Sequence, residues 1–412
     1  MQFLREVYNI NKSFQKMRKK YKKLIDSDKK LKSFIILQTV FKKIQRRGLK
    51  SMRKQNRKRK FKWLILPFAA LVCFGLTLLL SGHHKLAERF YSNGLYPLIA
   101  KILSPGSSLF PFSLDDLFYI LLILAVPVLI ILLLFRKITP GKAGKIILNS
   151  LAGIYILFYF LWGFNYYRDG LNTRLNLQKR QITNDQFRTV LVKLIEETNQ
   201  SFCNLDSMSK HQTDSLVEAS YKELSDVLSI DYPAGIRKDK SITFSRFFAQ
   251  SGISGYFGPF FNEVHVNKET HPVEYPVVLA HEKAHQFGVT SEAEANFYAW
   301  LVCQNSSSQE LRYSAGSFIL RYFFNQATKR EDYKELVSMI DPRVLHDFDR
   351  IRKNWDKFRN EKMEKVATKV NDAYLKTNEV EGGVQDYTGV VQFVLDFELD
   401  STFQKKWNLN IE

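Results

Sequence analysis

Cysteine is scarce in this chain: three residues in 412, at positions 73, 203 and 303. That excludes a disulfide framework, and no pair has the spacing of a cysteine zinc site. Cys73 falls in an apolar run, which leaves Cys203 and Cys303 as the one pair an oxidising compartment could join. Acidic residues are nearly missing from the first 61 positions, where Glu6, Asp26 and Asp28 face 22 Lys and Arg. This leader carries +19 of the chain's +20, and the remainder, with 39 basic and 38 acidic side chains, is almost neutral. A pI near 9.6 therefore describes the leader alone. The leader has few aromatics, and attraction to anionic lipid plus a cytosolic stop for a following span accounts for its charge. No nucleic-acid partner is expected.

Overall apolarity is also lacking, with a mean hydropathy of −0.22. The average conceals three stretches nearly free of charge, residues 62–81, 117–135 and 146–164. Each is long enough to span a hydrocarbon core of about 30 Å. No small-residue cleavage site follows the first, at Leu80-Ser81-Gly82-His83-His84, so it reads as a span and not as a signal peptide. The positive-inside rule keeps residues 1–61 in the cytoplasm, and Arg136, Lys137, Lys142 and Lys145 hold the 136–145 loop there too. Three crossings then put the loop 82–116 and residues 165–412 outside. The expectation is a multi-pass protein of the bacterial inner membrane, its partner the lipid bilayer, with the 165–412 domain in the periplasm. The loop 82–116, with Pro97, Pro105, Pro111 and an apolar centre, should lie on the outer bilayer face. Within the leader, Leu37, Val40, Phe41 and Ile44 predict a surface helix over 33–46. The basic string after Met52 reads as an ordinary membrane-protein start, with Met52 the expected initiator.

Residues 281–285 read His-Glu-Lys-Ala-His. On a helix, positions i and i+4 lie about 40° apart around the axis, so His281 and His285 aim two imidazoles at one point. Glu282 is placed as a general base for metal-assisted hydrolysis. Pro276 suits a first turn, Gly288 a left-handed C-cap, and a second helix should run from Thr290 or Ser291 to Cys303. A hydrolytic zinc site needs a third protein ligand and an open position. The second helix offers Glu292 and Glu294, which point about 200° apart. Glu294 would complete a Ser-x-x-Glu capping box with Ser291, whereas Glu292 has no such duty and shares a face with Asn296. Glu292 is the expected third ligand, Glu294 the alternative, and Asn296 a hydrogen-bonding group behind the ligands. The third histidine of a metzincin is lacking, since position 291 is Ser.

Glu292-Ala293-Glu294-Ala295-Asn296 resembles the Glu-x-x-Ala-Asp third-ligand signature of membrane-embedded gluzincins, the prenyl-protein and heat-shock-type membrane proteases, with Asn in place of their Asp. A nearer likeness is carried by Trp162-Gly163-Phe164-Asn165-Tyr166-Tyr167-Arg168, Gly255-Tyr256-Phe257-Gly258-Pro259-Phe260, His281 to Gly288, Glu292 to Phe297, and Asn371-Asp372-Ala373-Tyr374-Leu375. These resemble an uncharacterised family of bacterial membrane proteins, a domain of unknown function with several transmembrane helices before a zincin-like domain. The likeness covers roughly residues 58–395 and includes Tyr387.

Residues and resemblance together predict a multi-pass α-helical membrane anchor and a mainly α (α+β) zincin-like domain with a small sheet beside the motif helix. The expected activity is that of a zinc metallopeptidase acting on a protein or peptide at the outer membrane face. The rival is a non-catalytic envelope sensor or scaffold with a structural or degenerate metal site. Helices over 184–198 and 214–228 read as scaffold. Ser241 to Phe244 reads as a short strand, residues 252–258 as a glycine-rich turn, and the alternation around Val264 and Val266 as an edge strand that lines the cleft or merely forms a hairpin. Tyr256, His265, His271 and Tyr298 are candidates for stabilising an oxyanion, His265 and Tyr298 foremost. From Ser308 onward the chain reads as helices packing over the motif, with a Gly382-Gly383 turn near the end.

Overall fold

The structure is a computed structural model describing residues 61–232, 235–378 and 387–407, with Lys12, Lys16 and positions 35–36, 38–44 and 46 of the leader. The chain divides into two units, Met1–Pro67 and Phe68–Glu412. In the first, the described leader positions are helical, in line with the apolar spacing through Val40 and Ile44. The expected start at Met52 and the Gly382-Gly383 turn lie outside the described residues.

Among the described residues three helices are long and apolar enough to cross a membrane, Lys62–Ser81, Leu114–Leu134 and Pro140–Leu161. The first contains α1 (Ile65–Ser81), which is followed by a π-helical segment, Ala87–Leu95, and by α2 (Tyr96–Ser108). The second and third are α3 (Leu114–Leu134) and α4 (Pro140–Leu161). Their ends differ from the hydropathy reading. Ser113 caps α3 by accepting from the Asp116 N–H at 2.8 Å, which draws Asp115 and Asp116 out of the loop and into the first turn. Thr139 caps α4 ahead of Pro140, so the intervening loop shortens to residues 135–139. The helix stops at Leu161 because Gly163–Tyr167 tighten into a 3-10 turn. Gly163 is required there, since a Cβ would come within 2.7 Å of the Phe158 ring.

Residues 82–116, expected as a loop, hold regular structure and pack on the large domain. They are mostly helical, and one face of α2 is buried against the large domain through Tyr96 and Ala100. The Tyr96 hydroxyl donates to the Gln286 carbonyl at 2.7 Å and accepts from Asn262 Nδ2 at 2.9 Å. Ser104 donates to Asn262 Oδ1 at 2.6 Å. Leu98 and Ile102, on the other face, are exposed. An apolar stretch read as one lipid-facing surface serves two.

The large domain follows in the order α5 (Asn184–Gln200), α6 (Lys210–Glu223), β1 (Lys240–Ser241), α7 (Ser245–Gln250), β2 (Gly255–Gly258), β3 (Glu263–Val266), α8 (Tyr275–Gln286), α9 (Glu292–Gln304), α10 (Gln309–Ala327), α11 (Pro342–Asp356), α12 (Glu361–Thr377) and α13 (Val390–Glu398). Helix α9 is the core: every side chain from Ala293 to Cys303 is buried, with Phe297 and Trp300 packed on Phe397 of α13. Each such large apolar side chain contributes about 1.5–3 kcal/mol when fully buried. Cys303 and Cys203 are both free.

The sheet order is β1-β3-β2, with β1 parallel and β2 antiparallel to β3. Here the strand expectation is corrected. Residues 263–266 form the central strand, buried throughout, and the glycine-rich 255–258 segment forms the edge. The polar positions of β3 face a buried network, not water. Glu263 pairs with Lys240 and accepts from the Asp115 N–H at 3.0 Å, and His265 Nε2 lies 2.8 Å from Ser113 Oγ. Asp115 in turn accepts from Phe260 and Phe261 N–H, each at 3.2 Å. The sheet is thus hydrogen-bonded to the first turn of α3.

Candidate metal centre

Pro276 sits in the first turn of α8, where no N–H is required, and the helix ends in a Schellman turn. Gly288 has φ +84°, its N–H donates to His285 O at 2.9 Å, and the Val289 N–H donates to Ala284 O at 3.1 Å. The turn also orients His285. His285 Nδ1 is 2.7 Å from the Val289 carbonyl, which can only accept, so Nδ1 carries a proton and Nε2 is the nitrogen turned to the cleft. Arg168 donates to Gly288 O at 3.0 Å, and the Asn165 amide packs on the glycine, leaving no room for a Cβ.

Ser291 caps α9 and puts Glu292 at its first position. His281 Nε2 lies 3.2 Å from His285 Nε2 and 3.1 Å from Glu292 Oε2, and His285 Nε2 lies 3.4 Å from the same oxygen. These three side chains form a group that could hold a metal ion. The cluster favours positive charge. Burial alone would lower the His285 imidazole, but Glu292 and Glu282 outweigh it and hold the ring up at about 9. Burial likewise opposes ionisation of Glu292, yet the two imidazoles keep its carboxyl well below the usual range. Burial pushes the Glu282 carboxyl up to about 7 against the pull of both imidazoles. Glu282 faces β2, where a Cβ on Gly255 would come within 2.7 Å of its Oε1.

Lys283 points away from the cleft and is wholly buried. It pairs with Glu218 at 2.6 Å and Asp214 at 2.8 Å and donates to the Arg237 carbonyl at 3.0 Å. These contacts fix the rotation of α8 about its axis. At the last turn, Trp162 Nε1 donates to the His285 carbonyl at 2.9 Å.

The other expected site residues are placed elsewhere or one step back. Glu294 turns from the cluster: its carboxylate accepts from the Leu171 N–H at 2.7 Å and pairs with Arg174 at 2.9 Å, and it caps α9 only through its backbone N–H to Ser291. Asn296 lines the cleft but donates to Tyr322 Oη and to the Tyr387 carbonyl, both at 3.3 Å. His265 stacks on Tyr256 inside the network at α3. Tyr298 donates to the Leu228 carbonyl at 2.7 Å in the core, and Tyr256 lines the cleft while its hydroxyl binds Asp116. His271 lies outside the cleft lining, and its ring accepts from the Val273 N–H at 3.3 Å.

Residues that spacing did not single out complete the site. Tyr166 donates to Tyr374 Oη at 3.0 Å, and Tyr387 stands beside Glu292, where burial and that carboxylate push its phenol far up. Met363, Val366 and Val370 of α12 line the same cleft, whose volume is about 1210 Å³. Tyr374 and Tyr387 entered the sequence reading only through the resemblance, and the α12 residues had a signal in their three- and four-residue spacing.

The fold and the cluster define a mainly helical protein with three potential membrane spans and a His-His-Glu group between two buried helices. Over residues 91–395 the chain matches the family described as "Protein of unknown function (DUF3810)", and it belongs to that family. No curated protein and no solved structure matches it.

Proposed function

We propose that this protein is a membrane-anchored zinc metallopeptidase that cuts a protein or peptide at the outer face of the bacterial inner membrane, its large domain in the periplasm. The observation that carries the reading is the triangle of His281 Nε2, His285 Nε2 and Glu292 Oε2, with edges of 3.1, 3.2 and 3.4 Å, beside the carboxylate of Glu282. Tetrahedral zinc with ligand bonds of about 2.0–2.1 Å sets neighbouring donors about 3.3–3.4 Å apart, so the donor set fits the ion. The His285 ring N–H held by a carbonyl is the outer support such ligands require. Bound there, zinc would supply Lewis acidity, polarising a peptide carbonyl and making water more acidic.

The protein's own part is then confined to a few groups. His281, His285 and Glu292 hold the ion. Glu282 takes a proton from water as the water oxygen adds to the carbonyl carbon, and passes it to the amine nitrogen as the C–N bond breaks. The raised Glu282 carboxyl suits both halves of that transfer. Edge strand β2 is placed to hold the substrate backbone extended.

Metal analysis of the detergent-purified full-length protein tests the assignment. About one zinc per chain is expected in wild type, lost in His281→Ala and Glu292→Ala and kept in Glu294→Ala. Zinc kept without Glu292 and lost without Glu294 overturns the ligand set. Glu282→Gln should keep zinc and lose hydrolysis. A variant that keeps zinc and shows wild-type behaviour in cells would mark a structural site, that of a sensor or scaffold.

A further inference from the structure

The cleft begins where a membrane-spanning helix ends. Trp162 directly follows Leu161, the last residue of α4, and its ring lies 6.4 Å from the His285 imidazole while its N–H holds that residue's carbonyl. A histidine of the proposed metal site is therefore one Trp side chain away from the end of an apolar span. One turn inside the span, Phe158 packs edge-on against Tyr374, a cleft residue, at 6.4 Å. The cleft wall and the lipid-facing helix are continuous.

The part of the lining that α12 supplies is apolar and open. Met363, Val366, Val370 and Tyr374 follow three- and four-residue spacing along one face of α12, and all four line the cleft. Val366 is 62% exposed, Val370 64% and Tyr374 41%, and Phe247 of α7, which lines the same cleft, is 59% exposed. Contiguous apolar surface of this kind marks a binding site more often than idle surface. The volume of about 1210 Å³ also exceeds the roughly 300–1,000 Å³ of a small-molecule pocket. The same cleft is lined by β2, which among the described residues pairs on one side only, with Gly255 allowing close backbone approach to Glu282.

Resting on the metallopeptidase reading, we propose that the substrate is a membrane-anchored polypeptide bound just where its apolar span leaves the bilayer, its emerging segment extended between β2 and the apolar face of α12. Continuity of the cleft with α4 selects this occupant over a soluble peptide, which would gain nothing from a site at the end of a span.

The test uses the full-length Glu282→Gln protein in phosphatidylethanolamine and phosphatidylglycerol vesicles. The probes are single-span polypeptides whose Val- and Phe-rich tail carries a photo-crosslinking residue about 4 or about 40 residues beyond the span, the latter able to stand about 130 Å away. A soluble peptide with the same tail is the control. Crosslinking to α12 should be at least about tenfold stronger from the near probe than from the distant probe or the soluble peptide, and Val366→Asp with Val370→Asp should remove about tenfold of it while zinc content is unchanged. Equal labelling by the soluble peptide, or no labelling by the near probe, overturns the proposal. Labelling of α12 by a photoreactive lipid in place of the near probe also overturns it, and makes the stripe a membrane contact. Cleavage by wild type is read separately: a near probe that crosslinks to α12 and is never cut leaves the substrate class standing and removes the hydrolase reading.

Discussion

Replacing Lys283 by Met should destabilise the large domain without touching a ligand. Lys283 lies inside the motif, yet its ammonium is wholly buried on the far side of α8, 2.6 Å from Glu218 and 2.8 Å from Asp214. Arg237 completes the group, 2.8 Å from Glu218 and itself buried. Two cations thus face two anions, and Lys283→Met leaves one buried negative charge in excess. Removing one partner of a buried pair costs about 3–5 kcal/mol. For a domain of this size that is a fall of about 6–20 °C in Tm, measured by thermal unfolding in detergent. A second substitution isolates the cause. Burial holds the Asp214 carboxyl above its usual range despite Lys283, whereas Lys283 and Arg237 overcome burial at Glu218 and hold it at about 2. Asp214 is the weakly compensated member, so Asp214→Asn alone should cost less than about 1 kcal/mol. Lys283→Met combined with Asp214→Asn restores neutrality, leaves Glu218 on Arg237, and should regain about half of the loss. A Lys283→Met Tm within about 1 °C of wild type, or a double variant no more stable than the single, would refute the charge-balance argument.

Three further outcomes follow from local geometry. Glu197 shares Lys193 with Glu398, and burial together with Glu398 raises its carboxyl to about 7. The folded state binds that proton more tightly than the unfolded one, so stability is full below about pH 4 and falls as pH rises through 7. Discounted for its partial exposure, Glu197→Gln should gain about 1–2 kcal/mol at pH 8 and nothing at pH 4, and a loss at pH 8 by chemical denaturation would contradict this. Gly255→Ala drives a methyl to within 2.7 Å of Glu282 Oε1 and 2.9 Å of the His265 carbonyl; it should keep zinc but lower kcat/KM by about a hundredfold, the effect of a misplaced catalytic group. Gly288→Ala meets both a φ of +84° and the Asn165 amide at 3.0 Å, so it should cost at least about 1 kcal/mol and weaken zinc retention against a chelator through the disturbed His285 to Val289 bond. Zinc retention equal to wild type would show that the turn does not support the ligand.

The helical parts of the site were legible because their signals are local. The i, i+4 histidines, Pro276 in a first turn, Gly288 as C-cap and Ser291 as N-cap each depend on a few neighbours, and α8 and α9 begin and end about where those residues demand. Choosing Glu292 over Glu294 rested on face geometry, and the structure turns Glu292 to the histidines and Glu294 to Arg174. The sheet misled because alternation reports only that polar and apolar side chains point opposite ways. Glu263 and His265 face a buried network whose other half, Ser113 to Asp116, lies about 150 residues earlier in the chain. No window on the strand contains that information. The same holds for the α2 face that meets Asn262 and Gln286, and for the tyrosines that join α4, α12 and Glu292.

These long-range contacts make the anchor a structural part of the site. The last carbonyls of a helix have no partner within it and must find one outside. In α8 the carbonyls of His285 and Gln286 are met in part from the apolar helices: His285 O accepts from Trp162 beyond the end of α4 as well as from the Gly288 N–H, and Gln286 O accepts from Tyr96 of α2. The sheet that flanks Glu282 hangs on the first turn of α3 through Asp115, Asp116 and Ser113. A chain beginning at residue 165 would lose all of these partners: Gln286 O loses the Tyr96 hydroxyl, His285 O keeps the Gly288 N–H but loses Trp162, and Glu263 keeps Lys240 but loses Ser113 and the Asp115 N–H. Each hydrogen bond lost this way costs about 0.5–1.5 kcal/mol, and two of them lie at the end of the histidine helix. The large domain therefore depends on the three long apolar helices and the segments that join them for the geometry of the cluster.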